Sequence, residues 1–254
     1  MTGILLSGCN GKMGKVITAA AANTDDIEIV GGIDLNTEAG AGYPVFASPT
    51  EVTPEVLART DVIIDFSNPS AFAGLIEFAV KAAKPAVFAT TGLNEAQLTL
   101  LHHAADKIPV FFAANMSLGV SLISELAQKA AKVLGDDFDI EIVEMHHNQK
   151  VDAPSGTALM LADSIKEALG EDMRYEYDRH AKREKRGKNE IGIHSVRGGT
   201  ITGEHEIIFA GHDEIIKISH SARSKELFAT GAINAARFLF GKPAGLYGMK
   251  ELIG

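Results

Sequence analysis

Ile4-Leu5-Leu6-Ser7-Gly8-Cys9-Asn10-Gly11-Lys12-Met13-Gly14 decides the fold. An aliphatic run breaks into glycines spaced Gly-x-x-Gly-x-x-Gly, and an alanine-rich run follows. That order predicts a buried strand, a tight turn and a helix. Glycine permits the turn and a close backbone approach, and the N–H groups opening a helix stabilise phosphate charge. The turn is therefore a candidate dinucleotide site, although its spacing departs from the usual Gly-x-Gly-x-x-Gly. Its position supports the reading: Asp34 ends the next predicted strand, 20 residues beyond Gly14, where a carboxylate meets ribose hydroxyls. Leu35 and Asn36 follow where an arginine would receive a 2′-phosphate. NADH is thus the expected cofactor and NADPH the less favoured one, with Lys12 compensating in part. Cys9 reads as a small filler of the turn, not a redox centre.

Outward from that turn, strands are predicted at 4–7, 27–33, 62–66, 86–89 and 110–113, alternating with helices over 15–22, 69–83 and 95–105. Asp61-Val-Ile-Ile-Asp65-Phe-Ser67 has the near-continuous apolar character of a parallel strand buried on both faces. Pro69 and Asn94 suit helix starts. The class is α/β, a Rossmann-like doubly wound parallel sheet. Ligands of such sheets bind beyond the carboxyl ends of the strands, which nominates the loops Ala89-Thr90-Thr91-Gly92 and Ala113-Ala114-Asn115-Met116.

Beyond Ser117 the texture changes. A helix over 118–134, a strand over 138–145, a helix over 158–169 and consecutive strands at 194–197, 204–210 and 215–222 predict an inserted α+β module with an open mixed sheet. An alanine-rich helix over 228–240 then returns to the first domain. The expected division is 1–117 with 227–254 as a dinucleotide-binding domain, and 118–226 as a substrate-binding and oligomerisation domain. Seven Lys or Arg residues lie within 174–188, but Glu176, Asp178 and Glu184 interleave them, so the stretch reads as a solvated surface loop and not a nucleic-acid patch.

Composition fits this picture. The chain has 254 residues, 46% of them hydrophobic, enough to bury a core for one large or two modest domains. A net charge of −9 gives no general attraction to nucleic acid or anionic lipid, so an anionic ligand must be bound locally. The single cysteine excludes an internal disulfide. The opening apolar run is too short for a signal peptide and lacks a basic flank, so the expected location is the cytoplasm.

The residues carrying chemistry lie in Glu144-Met145-His146-His147-Asn148-Gln149-Lys150-Val151-Asp152-Ala153-Pro154-Ser155-Gly156-Thr157. Histidine exchanges a proton near neutral pH, lysine pairs with a carboxylate or donates a proton, and Ser-Gly-Thr opening a helix offers N–H groups and hydroxyls to an anion. Adjacent histidines point to opposite sides of an extended chain and no third ligand accompanies them, so no metal site is expected. A protein that holds a dinucleotide without turnover is the rival from another class, and the presence of both His146 and Lys150 speaks against it.

These segments resemble the dihydrodipicolinate reductase family along essentially the whole chain. The likeness rests on Gly8-x-x-Gly11-x-Met13-Gly14, Thr90-Thr91-Gly92, Ala114-Asn115-Met116-Ser117, His146-His147-x-x-Lys150-x-Asp152-Ala153-Pro154-Ser155-Gly156-Thr157-Ala158, Ile191 to Gly199 and Gly245-Leu246-Tyr247-x-Met249. It implies NAD(P)H-dependent reduction of a cyclic unsaturated dicarboxylate in lysine and diaminopimelate synthesis, by a homotetramer associating through the sheet of the inserted module. It implies His146 as proton donor or acceptor, Lys150 as second proton donor, and His147, Ser155, Gly156 and Thr157 as substrate-binding residues. It also implies a cofactor site of Gly8, Cys9, Asn10, Gly11, Lys12, Met13, Asp34, Ala89, Thr90, Thr91, Ala113, Ala114, Asn115 and Met116. Ala89 stands where the family has glycine, and Asn148-Gln149 are neutral where it often has basic residues.

Overall fold

Strands and helices alternate through the first part of the chain: β1 (Thr2–Ser7), α1 (Lys12–Ala22), β2 (Ile27–Ile33), β3 (Val45–Phe46), α2 (Pro54–Arg59), β4 (Val62–Asp65), α3 (Pro69–Lys81), β5 (Ala86–Phe88), α4 (Glu95–Ala105) and β6 (Pro109–Phe112). Then come α5 (Leu118–Leu134), β7 (Asp139–His146), α6 (Gly156–Leu169), β8 (Arg174–Glu176), β9 (Glu190–Arg197), β10 (Gly203–Ala210) and β11 (Ile215–Ala222). The chain closes with α7 (Glu226–Leu239), β12 (Gly245–Tyr247) and α8 (Met249–Ile253). This computed structural model describes residues 1–38, 42–170 and 172–254. It divides into two units, Met1–Leu118 with Lys225–Gly254, and Gly119–Ser224.

The first unit holds a seven-stranded sheet in the order β12-β6-β5-β4-β1-β2-β3, and every pairing in it is parallel. Successive residues of a strand face opposite sides, and the two cores follow that alternation. Ile4, Leu6, Val62, Ile64 and Val87 pack with Ala229, Ala232 and Ala236 of α7. Leu5, Ile63, Ala86 and Phe88 pack with Phe72 and Leu75 of α3 and Leu101 of α4. Parallel register brings Ser7 beside Ile33 and Asp65, and Phe88 beside Asp65 and Phe112. The loops that follow these residues therefore share one end of the sheet.

In the second unit the order is β11-β10-β7-β9-β8. β10 runs antiparallel to β7 and β11, while β9 runs parallel to β7 and β8. Ile123, Ala127 and Ala131 of α5 and Leu161, Ala162 and Ile165 of α6 cover one sheet face, meeting Ile140, Ile142, Ile207 and Phe209. β7 alternates half-buried and buried residues throughout, and Glu144 and His146 continue its buried row.

The structure departs from the sequence expectations in the 174–190 stretch and at the start of α1. The stretch read as a solvated loop contains β8, paired with β9. Its Arg186 reaches Asp139 and Glu141, at 2.9 and 3.1 Å, and Arg179 reaches Glu190 at 2.8 Å. Arg186 and Arg179 thus pair with acids of β7 and β9, and within the stretch Lys182 pairs with Glu176. Helix α1 begins at Lys12, three residues ahead of the expected 15, because Gly11 takes the cap position with extended backbone.

Candidate active site

At the shared end of the parallel sheet the glycine turn is fixed by backbone crowding. Gly8 has φ +77°, and a Cβ on it would stand 2.7 Å from the carbonyl oxygen of Phe66. A Cβ on Gly14 would lie 2.2 Å from the Gly8 oxygen and 2.4 Å from that of Cys9. Only glycine fits either place. Among the described residues no side chain caps α1, so its first turn faces the adjoining space with its N–H groups. Asp34 steadies the turn: its carboxylate accepts the N–H of Asn10 and that of Asn36, each at 3.0 Å. A cavity of about 530 Å³ opens here, lined by Gly8, Gly11, Asp34, Leu35, Ser48 and Asn68 among others.

A second cavity of about 280 Å³ is lined by Met13, Ala89, Thr90, Thr91, Ala114 and Met116, with Phe66 and Phe228 beside them. Thr90 Oγ1 donates to the buried Asp65 at 2.5 Å, and the same carboxylate accepts the N–H of Ser67 at 3.1 Å. Asp65 thus ties two strand-end loops together. Glycine cradles, an uncapped helix start, a carboxylate and small-residue loops are the parts a nicotinamide dinucleotide requires, and they fit that group.

The second unit carries the ionisable groups. Glu144 and His146 sit two apart on β7 and point to the same face. Glu144 is fully buried. Its Oε2 lies 2.6 Å from His146 Nδ1 and accepts Arg197 at 2.8 Å, and its Oε1 accepts Arg197 at 2.7 Å and the N–H of Ser155 at 3.1 Å. Burial alone would raise this carboxyl, but hydrogen bonds from Arg197, Ser195, His146 and Ser155 prevail and bring it to about 2. Register places Arg197 of β9 directly beside His146.

Ser155 caps α6, its Oγ accepting the N–H of Ala158 at 3.1 Å. The same hydroxyl meets His205 Nε2 at 3.1 Å, and the His205 ring stands edge-on to His146 with centroids 5.3 Å apart. Burial, reinforced by the charge of His146, pushes the His205 imidazole down to about 4, so it is neutral at pH 7. Lys150 leaves the turn after β7 and pairs with Asp152 at 2.9 Å. This unit can therefore exchange a proton at His146, with cations at Lys150 and Arg197 and a helix start at Gly156 nearby in the chain.

The family model for the N-terminus of dihydrodipicolinate reductase matches residues 2–116, and that for its C-terminus matches residues 119–253. The chain belongs to the dihydrodipicolinate reductase family. It is 51% identical over 253 residues to the 4-hydroxy-tetrahydrodipicolinate reductase of Caldanaerobacter subterraneus, covering 100% of this chain and 98% of that one. The enzyme of that name from Clostridium tetani is 47% identical, covering 98% and 96%. Among solved structures, a dipicolinate-bound dihydrodipicolinate reductase from Paenisporosarcina sp. TG-14 superposes with a TM-score of 0.81 at 25% identity, covering 99% of each chain.

Within this reductase the residues nominated from sequence fall into distinct places. Gly8, Gly11 and Asp34 line the larger cavity, and Met13, Ala89, Thr90, Thr91, Ala114 and Met116 the smaller. Cys9 is in neither lining: its side chain is buried in the core, where desolvation raises the thiol to about 11. Lys12 is exposed, Ala113 packs against the core, and Asn115 accepts the N–H of Ser117 at 2.9 Å. Glu144, Arg197, His205 and Asp65 were not singled out from sequence. The available signal was Glu144 itself, on a predicted strand and spaced by two from the histidine just beyond its end.

Proposed function

We propose that this chain reduces 4-hydroxy-tetrahydrodipicolinate to tetrahydrodipicolinate with NAD(P)H, losing the 4-hydroxyl as water and taking hydride at C4. The observation that carries the reading is the Glu144–His146 pair at 2.6 Å, beside a helix start, in a chain with reductase relatives along its whole length. The nicotinamide supplies the hydride when bound. Hydride addition leaves one negative charge in the conjugated ring, and a single proton quenches it, supplied through His146 and Lys150. His147, Ser155, Gly156 and Thr157 take a substrate carboxylate at the start of α6. The turn from Gly8 to Met13 holds the pyrophosphate, Asp34 the ribose, and Ala89 to Thr91 with Ala113 to Met116 the nicotinamide end.

NADH is the preferred cofactor, because Asp34 repels a 2′-phosphate and the neighbouring Leu35, 90% exposed, offers it no partner. The enzyme acts as a cytoplasmic homotetramer, and the exposed Ile215 and Val196 on strands of the second sheet support association there. The test generates the substrate in place from pyruvate and aspartate semialdehyde and follows NADH. Consumption that tracks substrate supply supports the function, and none with either cofactor overturns it.

A further inference from the structure

We propose that Glu144 is a positioning residue that fixes which nitrogen of His146 handles the proton, keeping Nδ1 protonated and leaving Nε2 to exchange with substrate. The inference rests on His146 as the proton donor of the proposed reaction.

An ion on the helix-covered face of a sheet is tolerated only if its acceptor sites are filled. Glu144 meets that condition, with two N–H groups from Arg197, one from Ser155 and one from His146. An ionised carboxylate only accepts. At 2.6 Å from it, His146 Nδ1 must carry the hydrogen, so in the neutral ring Nε2 is bare and in the imidazolium Nε2–H is the proton free to leave. The ring's Nε2 edge faces Gly203, where a Cβ would stand 3.1 Å away. Charge follows the same logic. The imidazolium gains a carboxylate partner, whereas His205, edge-on to it, is kept uncharged by burial. Arg197 and Lys150 supply the positive charge of this region, and Asp152 its other carboxylate, already paired with Lys150.

A carboxylate that only braced Ser155 and Arg197 would leave the tautomer of His146 unspecified. Nitrogen-15 NMR of histidine-labelled wild-type protein separates the two roles. The expected spectrum of neutral His146 is the Nδ1–H form, and a predominant Nε2–H form would overturn the proposal. Glu144→Gln, which keeps the shape and can bond Nδ1 through its amide N–H, should shift His146 toward Nε2–H. It should lower kcat by roughly 10²-fold or more, the scale of a lost acid–base contribution, with substrate KM changed less. Glu144→Asp should recover part of the loss. Equal kcat in Glu144→Gln and wild type, or an unchanged tautomer, contradicts the proposal. His146→Gln is the separate control: wild-type turnover there removes the proton-donor reading, whereas the tautomer measurement bears on Glu144 alone.

Discussion

Gly203 opens β10 at a point where its missing side chain leaves His146 room: a Cβ would stand 3.1 Å from Nε2 and 3.4 Å from Cδ2. Gly203→Ala should therefore crowd the exchanging edge of the ring. Small misplacements at a reacting group cost rate more than stability. The expected result is a fall in kcat of about tenfold, with melting lowered by only a few degrees for a local overpacking of about 1–3 kcal/mol. Steady-state kinetics beside a thermal melt check it, and unchanged kcat contradicts the crowding.

Removing the proposed proton-transfer groups should cost far more. His146→Gln and Lys150→Ala are each expected to lower kcat by ~10²-fold or more. Thr157→Val should instead raise substrate KM more than it weakens cofactor binding, since it alters the proposed carboxylate site at the start of α6. Kinetics with each substrate varied in turn distinguish the two patterns.

Cofactor choice should follow Asp34. Its carboxylate already accepts two backbone N–H groups at 3.0 Å, which hold it in place at the cavity. NADH should show the higher kcat/KM, and Leu35→Arg should move the ratio toward NADPH by about tenfold, the scale of one added charge-assisted contact. A tenfold NADPH advantage in the unaltered protein contradicts the assignment.

The sheets were legible because long elements repeat their period. β2, α4, α5 and β11 have the expected bounds, since each is an uninterrupted apolar or amphipathic run closed by clear turn residues. β3, β8 and β12, of two or three residues each, carry no period to read. The glycine turn was legible because only glycine tolerates the contacts at Gly8 and Gly14. Glu144 was not, because its meaning depends on Arg197, 53 residues away, and on Ser155, 11 away. Asp65 likewise looks like the end of an apolar strand until Thr90 donates to it across the sheet.

Stability should fall on acidification in two steps. Burial first, then the charge of His146, hold His205 at about 4 against an ordinary 6.5. Between those values the unfolded chain binds more protons than the folded one, so stability declines as pH drops from 6.5 toward 4. Glu144, held at about 2 against 4.5, adds a second loss as pH falls below 4.5. Melting temperature against pH should show both slopes, and His205→Gln should flatten the first. An equally steep first slope in that variant contradicts the role given to His205.

Hydride delivery to the ring of the cyclic dicarboxylate is the step on which the proposed function turns. NADH deuterated at its transferable position, consumed while substrate is generated from pyruvate and aspartate semialdehyde, tests it directly. The product should carry deuterium at C4, read by NMR or mass spectrometry. Consumption of NADH that leaves C4 unlabelled, or no consumption at all, would contradict the account.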